Sequence, residues 1–442
     1  MSDQKNRVVP SFLSDLTKVA KSNVVILLSS ILGSVVTARA LGPEGNGIIA
    51  GLVVYPSLFM TVGSLGIRQT VTYHLGKGIF SEAKIKTAIT QIWVITAISS
   101  FFICSFLMKN LSSSGDNWMW IALALVPIPF NLFIKYNSGI FLGKNDIAVF
   151  NRINWVPSLT TSILVVILVG ICSLGITGAL VAACFGPLLM ALILLFKHDF
   201  LRAFKFSVEY KIIKSILSLG LIYAFALLVI NLNYKIDILL LDKMSSPYEL
   251  GIYSKGASLT QYLWQIPMVL NTIIFARSAT SSDPQEFSQK VAQLLRISII
   301  IISLASLLLF VFADGVISIM FGADFIPSAI VVRFLLPGVI VLTVFKVMNT
   351  DLAGRGKPWI SLKAMLPALF INVILNLIYI PLYGSVGAAL SSTVSYTLAG
   401  LLFLYFYSKE VGIPVRVILR FSKKDFIVIY KSMERVLAKY AG

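Results

Sequence analysis

Between positions 229 and 242 the chain reads VINLNYKIDILLLD, an apolar stretch that carries a lysine, two carboxylates, two amides and a phenol. Ionisable residues within a hydrophobic run are costly, and such positions usually serve a pathway, an ion or a ligand. Lys235 offers a positive charge to an anionic group, and Asp237 offers a carboxylate that can take up a proton or a cation. Two residues apart, they cannot form a simple helical pair. At helical spacing Asn231, Tyr234 and Lys235 share one face, and Asn233 and Asp237 another. The competing reading is that Lys235 and Asp237 snorkel to the outer surface, since they lie outward of the middle of the run. Arg333, in another apolar run, is expected to counter Asp237.

Two further stretches place polar groups at helical spacing. Ser57, Thr61, Ser64 and Arg68 follow at intervals of 4, 3 and 4. A shift of 204 lands on Gln261, Gln265, Met268 and Thr272, with Ser254 and Ser258 upstream on the same face. Hydroxyls of this kind also bind helices together without any cargo, and that reading stays open for Ser57, Thr61 and Ser64. Two glutamine amides are harder to leave against lipid, which favours a water-filled cavity lined by both stretches. Arg68 and Arg277 stand where helix ends meet the cytoplasm, and membrane topology alone would account for them.

The elements that must hold these residues are long and apolar. The 442 residues are 57% hydrophobic and 13% charged, and the mean hydropathy is +0.88. Half the usual charge, with apolar runs of about 20 residues, predicts a polytopic all-α membrane protein. Twelve spans are expected, at 22–41, 47–68, 85–108, 118–141, 153–173, 176–196, 215–241, 251–276, 292–313, 328–350, 360–381 and 384–408. The alternating short segments of a β-barrel are missing. With the N-terminus inside, 31 of the 37 Lys and Arg residues fall on the cytoplasmic side, which puts both termini in the cytoplasm. The net charge of +18 therefore faces anionic lipid rather than nucleic acid. Cys104, Cys172 and Cys184 lie in apolar runs, and His74 and His198 have no neighbouring ligands, so no metal or other cofactor is expected.

The chain is also read as a duplication. PEGNGIIA at 43–50 returns as PYELGIYS at 247–254, LGKND at 142–146 as AGRGK at 353–357, and GITGA at 175–179 as GSVGA at 384–388; Pro157 faces Pro367. Offsets of 204 to 211 predict two six-helix lobes in one orientation, 22–214 and 215–408, related by a parallel repeat. A short amphipathic segment at 1–21 precedes them. A basic amphipathic tail at 409–442, with Phe426, Tyr430, Met433, Leu437 and Tyr440 on one stripe, follows as an inner-leaflet anchor.

ARALGPEGNGIIA after the first run, NLNYKIDILLLDKMSSPYELGIYS across the seventh and eighth, and IPLYGSVGAAL before the twelfth resemble the bacterial polysaccharide transporter family. Its members are O-antigen-type flippases of the multidrug/oligosaccharidyl-lipid/polysaccharide exporter superfamily. The resemblance implies a V-shaped central cavity between two lobes, open to one side at a time, in the inner (plasma) membrane. It implies transfer of a polyprenyl-pyrophosphate-linked oligosaccharide to the outer leaflet, with no enzymatic step. Na+ or H+ would be the coupling ion, with Asp237 its candidate site. Membrane lipids and other polysaccharide-assembly proteins are the implied partners. Cationic groups would neutralise pyrophosphate, and Tyr262 and Trp264 would stack on sugars. A multidrug exporter of the same superfamily is the alternative, and a membrane glycosyltransferase or polymerase a more distant one. The latter would need catalytic carboxylates on outer loops, which here are short.

Overall fold

The structure of the protein, a computed structural model, describes residues 12–144, 146–197, 200, 205, 210–265, 267, 268, 274, 278, 283–422 and 425. Among them every regular element is helical. In chain order these are α1 (Phe12–Val62), α2 (Ile67–Gly76), α3 (Glu82–Leu111), α4 (Trp118–Leu125), α5 (Pro127–Gly143), α6 (Ile147–Asn151) and α7 (Val156–Val165). A π-helical turn at Val166–Ile171 leads to α8 (Gly175–Lys197), α9 (Tyr210–Met244) and α10 (Pro247–Tyr262). α11 (Pro284–Phe321), α12 (Ser328–Gly354), α13 (Trp359–Val411) and the short α14 (Val415–Ile418) complete the order. A chain that crosses lipid must bond its own backbone, and helices do this within each segment.

Helix starts carry the expected caps. The Asp283 carboxylate accepts from the N–H groups of Gln285 and Glu286, each at 2.9 Å, and Pro284 opens α11. Ser246 Oγ accepts from Glu249 N–H at 3.3 Å ahead of Pro247. Asn117 Oδ1 accepts from Trp120 N–H at 3.1 Å before α4. These side chains satisfy donors that a helix leaves unpaired at its N-terminus.

Nine stretches among the described residues are long and apolar enough to cross a membrane, and large exposed residues such as Phe102, Phe106, Ile319 and Phe370 face outward along them. The protein is a multi-pass membrane protein. Two of the nine stretches run to 55 and 53 residues, which at 1.5 Å per residue is about 80 Å, more than twice the hydrocarbon thickness. Each is broken by a glycine: Gly42 (φ 62°, ψ −175°) in α1 and Gly384 (φ 55°, ψ −128°) in α13. Those breaks fall between expected spans one and two and at the first residue of span twelve. α1 begins at Phe12, so the segment expected to lie on the inner surface continues into the first span as one helix. The stripe of the basic tail lies outside the described residues.

Contacts divide the chain into two units. The first takes the described residues up to 40, with 55–110 and 114–224; the second takes 41–54, 111–113 and those from 225 onward. In the first unit the phenol of Tyr136, buried between α3 and α5, meets Thr96 Oγ1 at 2.9 Å and donates to the Gly63 carbonyl. In the second unit the fully buried Asp351 carboxylate gathers hydroxyls of Ser278, Ser288 and Tyr407 at 2.6–2.7 Å. Arg355 Nε adds an ion pair at 3.0 Å. This polar knot fastens α11, α12 and α13 at one end of the bundle.

The repeated glycine motifs have a backbone explanation. A Cβ added at Gly47 would lie 1.8 Å from the Pro247 carbonyl oxygen, and one added at Gly251 would lie 1.9 Å from that of Pro43. The two copies of the Pro-x-x-x-Gly motif therefore cross each other reciprocally, each glycine receiving the other copy's proline carbonyl. Asn46 Nδ2 donates to the Gly42 carbonyl at 2.7 Å and holds the entry turn. In the second motif pair, Gly175 (φ 61°) and Gly384 (φ 55°) both take a positive φ, which side chains disfavour. Three residues on, Gly178 and Gly387 lie against the Leu168 and Tyr379 carbonyls, where a Cβ would come within 3.1 and 2.2 Å.

Candidate functional site

The polar centre of the second unit is built on one face of α9. Asn233 and Asp237, four residues apart, are both fully buried. The Asp237 carboxylate accepts from Tyr253 Oη at 2.9 Å, Ser392 Oγ at 2.5 Å and Asn376 Nδ2 at 2.7 Å. Ser395 Oγ donates to Asn233 Oδ1 at 3.0 Å, and Asn372 Nδ2 to the Asn233 carbonyl at 3.3 Å. Asn372 and Asn376 follow at i, i+4 before the Gly384 break, and Ser392 and Ser395 at i, i+3 after it. The two parts of α13 thus bring one polar face each to α9.

Among the described residues the recorded partners of Asp237 are neutral donors. The expected counter-charge is elsewhere: the Arg333 guanidinium pairs with Asp314 and donates from Nε to the Phe310 carbonyl at 3.2 Å. This corrects the sequence expectation. Arg333 sits on the exposed side of α12, and a carboxylate one neighbouring helix away on that side captures it. A buried carboxylate held by neutral donors still needs a proton or a cation to balance its charge. The oxygens around it, from Asp, Asn and Ser, suit a hard cation. The Asn376 Oδ1 atom is buried without a partner beside it. No cluster of three His, Cys, Asp or Glu residues able to hold a metal occurs among the described residues.

The next face of α9 carries Tyr234, and here the sequence reading was incomplete. The Tyr234 ring lies 5.9 Å from those of Trp264 and Tyr396, which are themselves 5.8 Å apart. Lys346 Nζ, from α12, sits 3.9 Å from the Tyr234 ring centre and 4.4 Å from that of Trp264. The Tyr234 hydroxyl is buried without a hydrogen-bond partner. Asn231 Nδ2, expected on this face, bonds back to the Leu227 carbonyl of its own helix at 2.8 Å. Lys235 is half-buried and carries an interaction of its own. Trp264 was expected to stack on sugars, but it is 3% exposed and donates from Nε1 to the Val339 carbonyl. Packing by Tyr234 and Tyr396 closes its faces. Tyr262 is half-buried.

The polar stripes are shorter than their spacing suggests. α1 ends at Val62, and Leu65 (φ 45°) and Gly66 (φ 61°) turn the chain before α2 begins at Ile67. The left-handed turn interrupts the period, so Arg68 does not continue the face of Ser57 and Thr61; it stands exposed on a separate helix. Thr61 Oγ1 donates to the Ser57 carbonyl and Ser64 Oγ to the Thr61 carbonyl, and both side chains are buried. In α10, Ser254 and Ser258 likewise bond to carbonyls of their own helix. Gln261 is exposed and Gln265 half-buried, on either side of a break at Leu263 and Trp264. Arg277 and Thr272 lie outside the described residues.

Residues 36–330 match the family described as polysaccharide biosynthesis protein. A protein of Haloferax volcanii described as "Probable low-salt glycan biosynthesis flippase Agl15" is 23% identical over 426 residues, spanning 89% of this chain and 84% of its own. Among solved structures, the lipid II flippase MurJ superposes with a TM-score of 0.72 at 14% identity, over 95% of this chain and 93% of its own. A multidrug resistance transporter of the MATE family and the MOP superfamily gives 0.71 at 14% identity, over 90% and 98%. The two structures establish the fold, an all-helical one common to flippases and exporters. With the family match covering well over half of its length, the chain belongs to the polysaccharide biosynthesis protein family.

Proposed function

We propose that the protein is a carrier that moves a polyprenyl-pyrophosphate-linked oligosaccharide from the cytoplasmic to the outer leaflet of the inner membrane by alternating access. It performs no covalent step, and both termini lie in the cytoplasm. Membership of a polysaccharide biosynthesis family and similarity to a protein described as a glycan biosynthesis flippase support a glycan-bearing cargo. The observation that carries the mechanism is the buried Asp237 with its ring of neutral donors. Charge at such a site must be balanced by an incoming ion, so Asp237 takes up Na+ or H+ and links transport to the ion gradient. Asn376, Ser392 and Tyr253 exchange hydrogen bonds between the loaded and empty carboxylate. Lys235 meets the anionic headgroup as a point charge.

A cation-coupled multidrug exporter is the second reading. A pocket for cationic drugs needs unpaired carboxylates, whereas the inner carboxylates of the second unit, Asp237, Asp242 and Asp351, accept from neighbouring donors. Deletion in the native host tests the choice. Lipid-linked oligosaccharide accumulating on the inner leaflet, with loss of surface glycan, is the expected result. Unchanged glycan with altered drug tolerance would favour the exporter.

A further inference from the structure

Lys346 is not used by the mechanism above, yet it is set in place by four separate segments. Tyr234 comes from α9, Trp264 from just beyond α10, Lys346 from α12 and Tyr396 from the second part of α13. Their rings stand 5.8–5.9 Å apart in a closed triangle, and the ammonium lies against two of them. Lys346 is eight residues from the end of α12 at Gly354, about 12 Å along the axis, so the box lies well inside the span.

Aromatic faces attract an ammonium but do not replace oxygen acceptors for its three N–H groups. Among the described residues none of these N–H groups has an oxygen partner, and the inner carboxylates of the same unit are taken elsewhere. Asp237 is held by Tyr253, Asn376 and Ser392; Asp242 by Ser113; Asp351 by Arg355 and three hydroxyls. The Tyr234 hydroxyl, in the same box, is a buried donor without an acceptor. An unpaired buried polar group is rare, and one beside a half-buried ammonium that meets only ring faces calls for a ligand that both can share. A group with several anionic oxygens would satisfy both at once, and the aromatic walls would exclude competing water.

We infer that Lys346 and the Tyr234 hydroxyl form an oxyanion subsite that takes the phosphate or pyrophosphate of the lipid-linked cargo, an assignment that rests on the flippase reading. Lys346 is the charge and Tyr234 the additional donor, while the Tyr234 and Trp264 rings hold the ammonium and Tyr396 packs against both. Binding draws the ammonium off the rings towards the phosphate oxygens.

The test uses the full chain in lipid nanodiscs and two probes, geranylgeranyl pyrophosphate and the uncharged geranylgeraniol. Wild type is expected to prefer the pyrophosphate. Lys346→Gln should weaken pyrophosphate binding by about tenfold or more while leaving the alcohol unchanged, and Lys346→Arg should recover most of it. Tyr234→Phe should weaken it by a few-fold. Inorganic pyrophosphate competing as well as the prenyl ester would identify a free anion, not a lipid headgroup, as the ligand. Melting temperatures of the variants separate loss of fold from loss of binding. If Lys346→Gln binds the pyrophosphate as wild type does, or loses both probes equally in a folded protein, the subsite is overturned. If wild type binds no prenyl pyrophosphate, the flippase reading falls, and the subsite with it.

Discussion

Replacing Gly47 or Gly251 by alanine tests the reciprocal helix crossing. A carbon and a carbonyl oxygen settle no closer than about 3.3 Å, whereas the added Cβ would start at 1.8 Å from Pro247 O or 1.9 Å from Pro43 O. The backbones must therefore part by roughly 1.5 Å at the substituted contact. The carbonyl belongs to a helix start and cannot turn away as a flexible side chain would. Overpacking of this kind costs about 1–3 kcal/mol. Because the contacts are reciprocal, Gly47→Ala and Gly251→Ala should have similar effects, and the double variant should cost less than the sum, since one separation relieves both clashes. The assay is bismaleimide cross-linking between cysteines at Glu44 and Tyr248, which line one surface hollow beside the crossing. Cys104, Cys172 and Cys184 are first replaced. Each alanine should lower the cross-linking yield at equal membrane abundance. Native yield and native export in both single variants would refute the crossing.

Three other outcomes follow from particular side chains. Asp351→Asn leaves Arg355 without its ion pair inside the α11–α13 knot and should destabilise the protein by about 3–5 kcal/mol, read as a lowered melting temperature in detergent. Single cysteines at Thr61 and Ser64 should react poorly with water-soluble maleimide while one at Gln261 reacts readily, because the first two are buried and the last is exposed; the reverse order would contradict the packing. Burial would raise the Asp425 carboxyl, but Arg296 at 2.9 Å and the Ser422 N–H hold it below the usual carboxylate range. Its contribution is thus present at neutral pH and lost as pH falls through the depressed value, so protease cleavage after residue 418 should rise only under acid, and Asp425→Asn should show that susceptibility at pH 7.

The spans were legible because lipid imposes a single rule, a long apolar helix, on every crossing. The glycine motifs were legible as turns, and their spacing pointed to a repeat; that the two copies meet at Gly47 and Gly251 was not, since sequence holds no distance. The second face of α9 was half read. Asp237 stood out as a carboxylate in an apolar run, but Asn372, Asn376, Ser392 and Ser395 are more than 130 positions away and look like ordinary small polar residues of helices. Their i, i+4 and i, i+3 spacing was the available signal. Lys346 was absorbed into the cytoplasmic charge count because the expected span stopped at 350, whereas the helix runs on to Gly354, and nothing in its neighbours along the chain indicates the rings around it. The stripe ending at Arg68 failed for a backbone reason: the left-handed turn at Leu65 and Gly66 breaks the helical period.

The central claim, ion-coupled movement of a lipid-linked glycan, is tested most directly in proteoliposomes. Purified protein is reconstituted with a short-chain polyprenyl-pyrophosphate oligosaccharide, and its arrival in the opposite leaflet is followed by accessibility to a sugar-oxidising enzyme. Wild type should accelerate transfer, and an imposed Na+ or H+ gradient should drive it. Asp237→Asn keeps the size of the side chain but removes its charge; it should abolish the gradient dependence while binding of the cargo persists. Transfer no faster than in protein-free vesicles would contradict the account, as would gradient-driven transfer by Asp237→Asn at the wild-type rate.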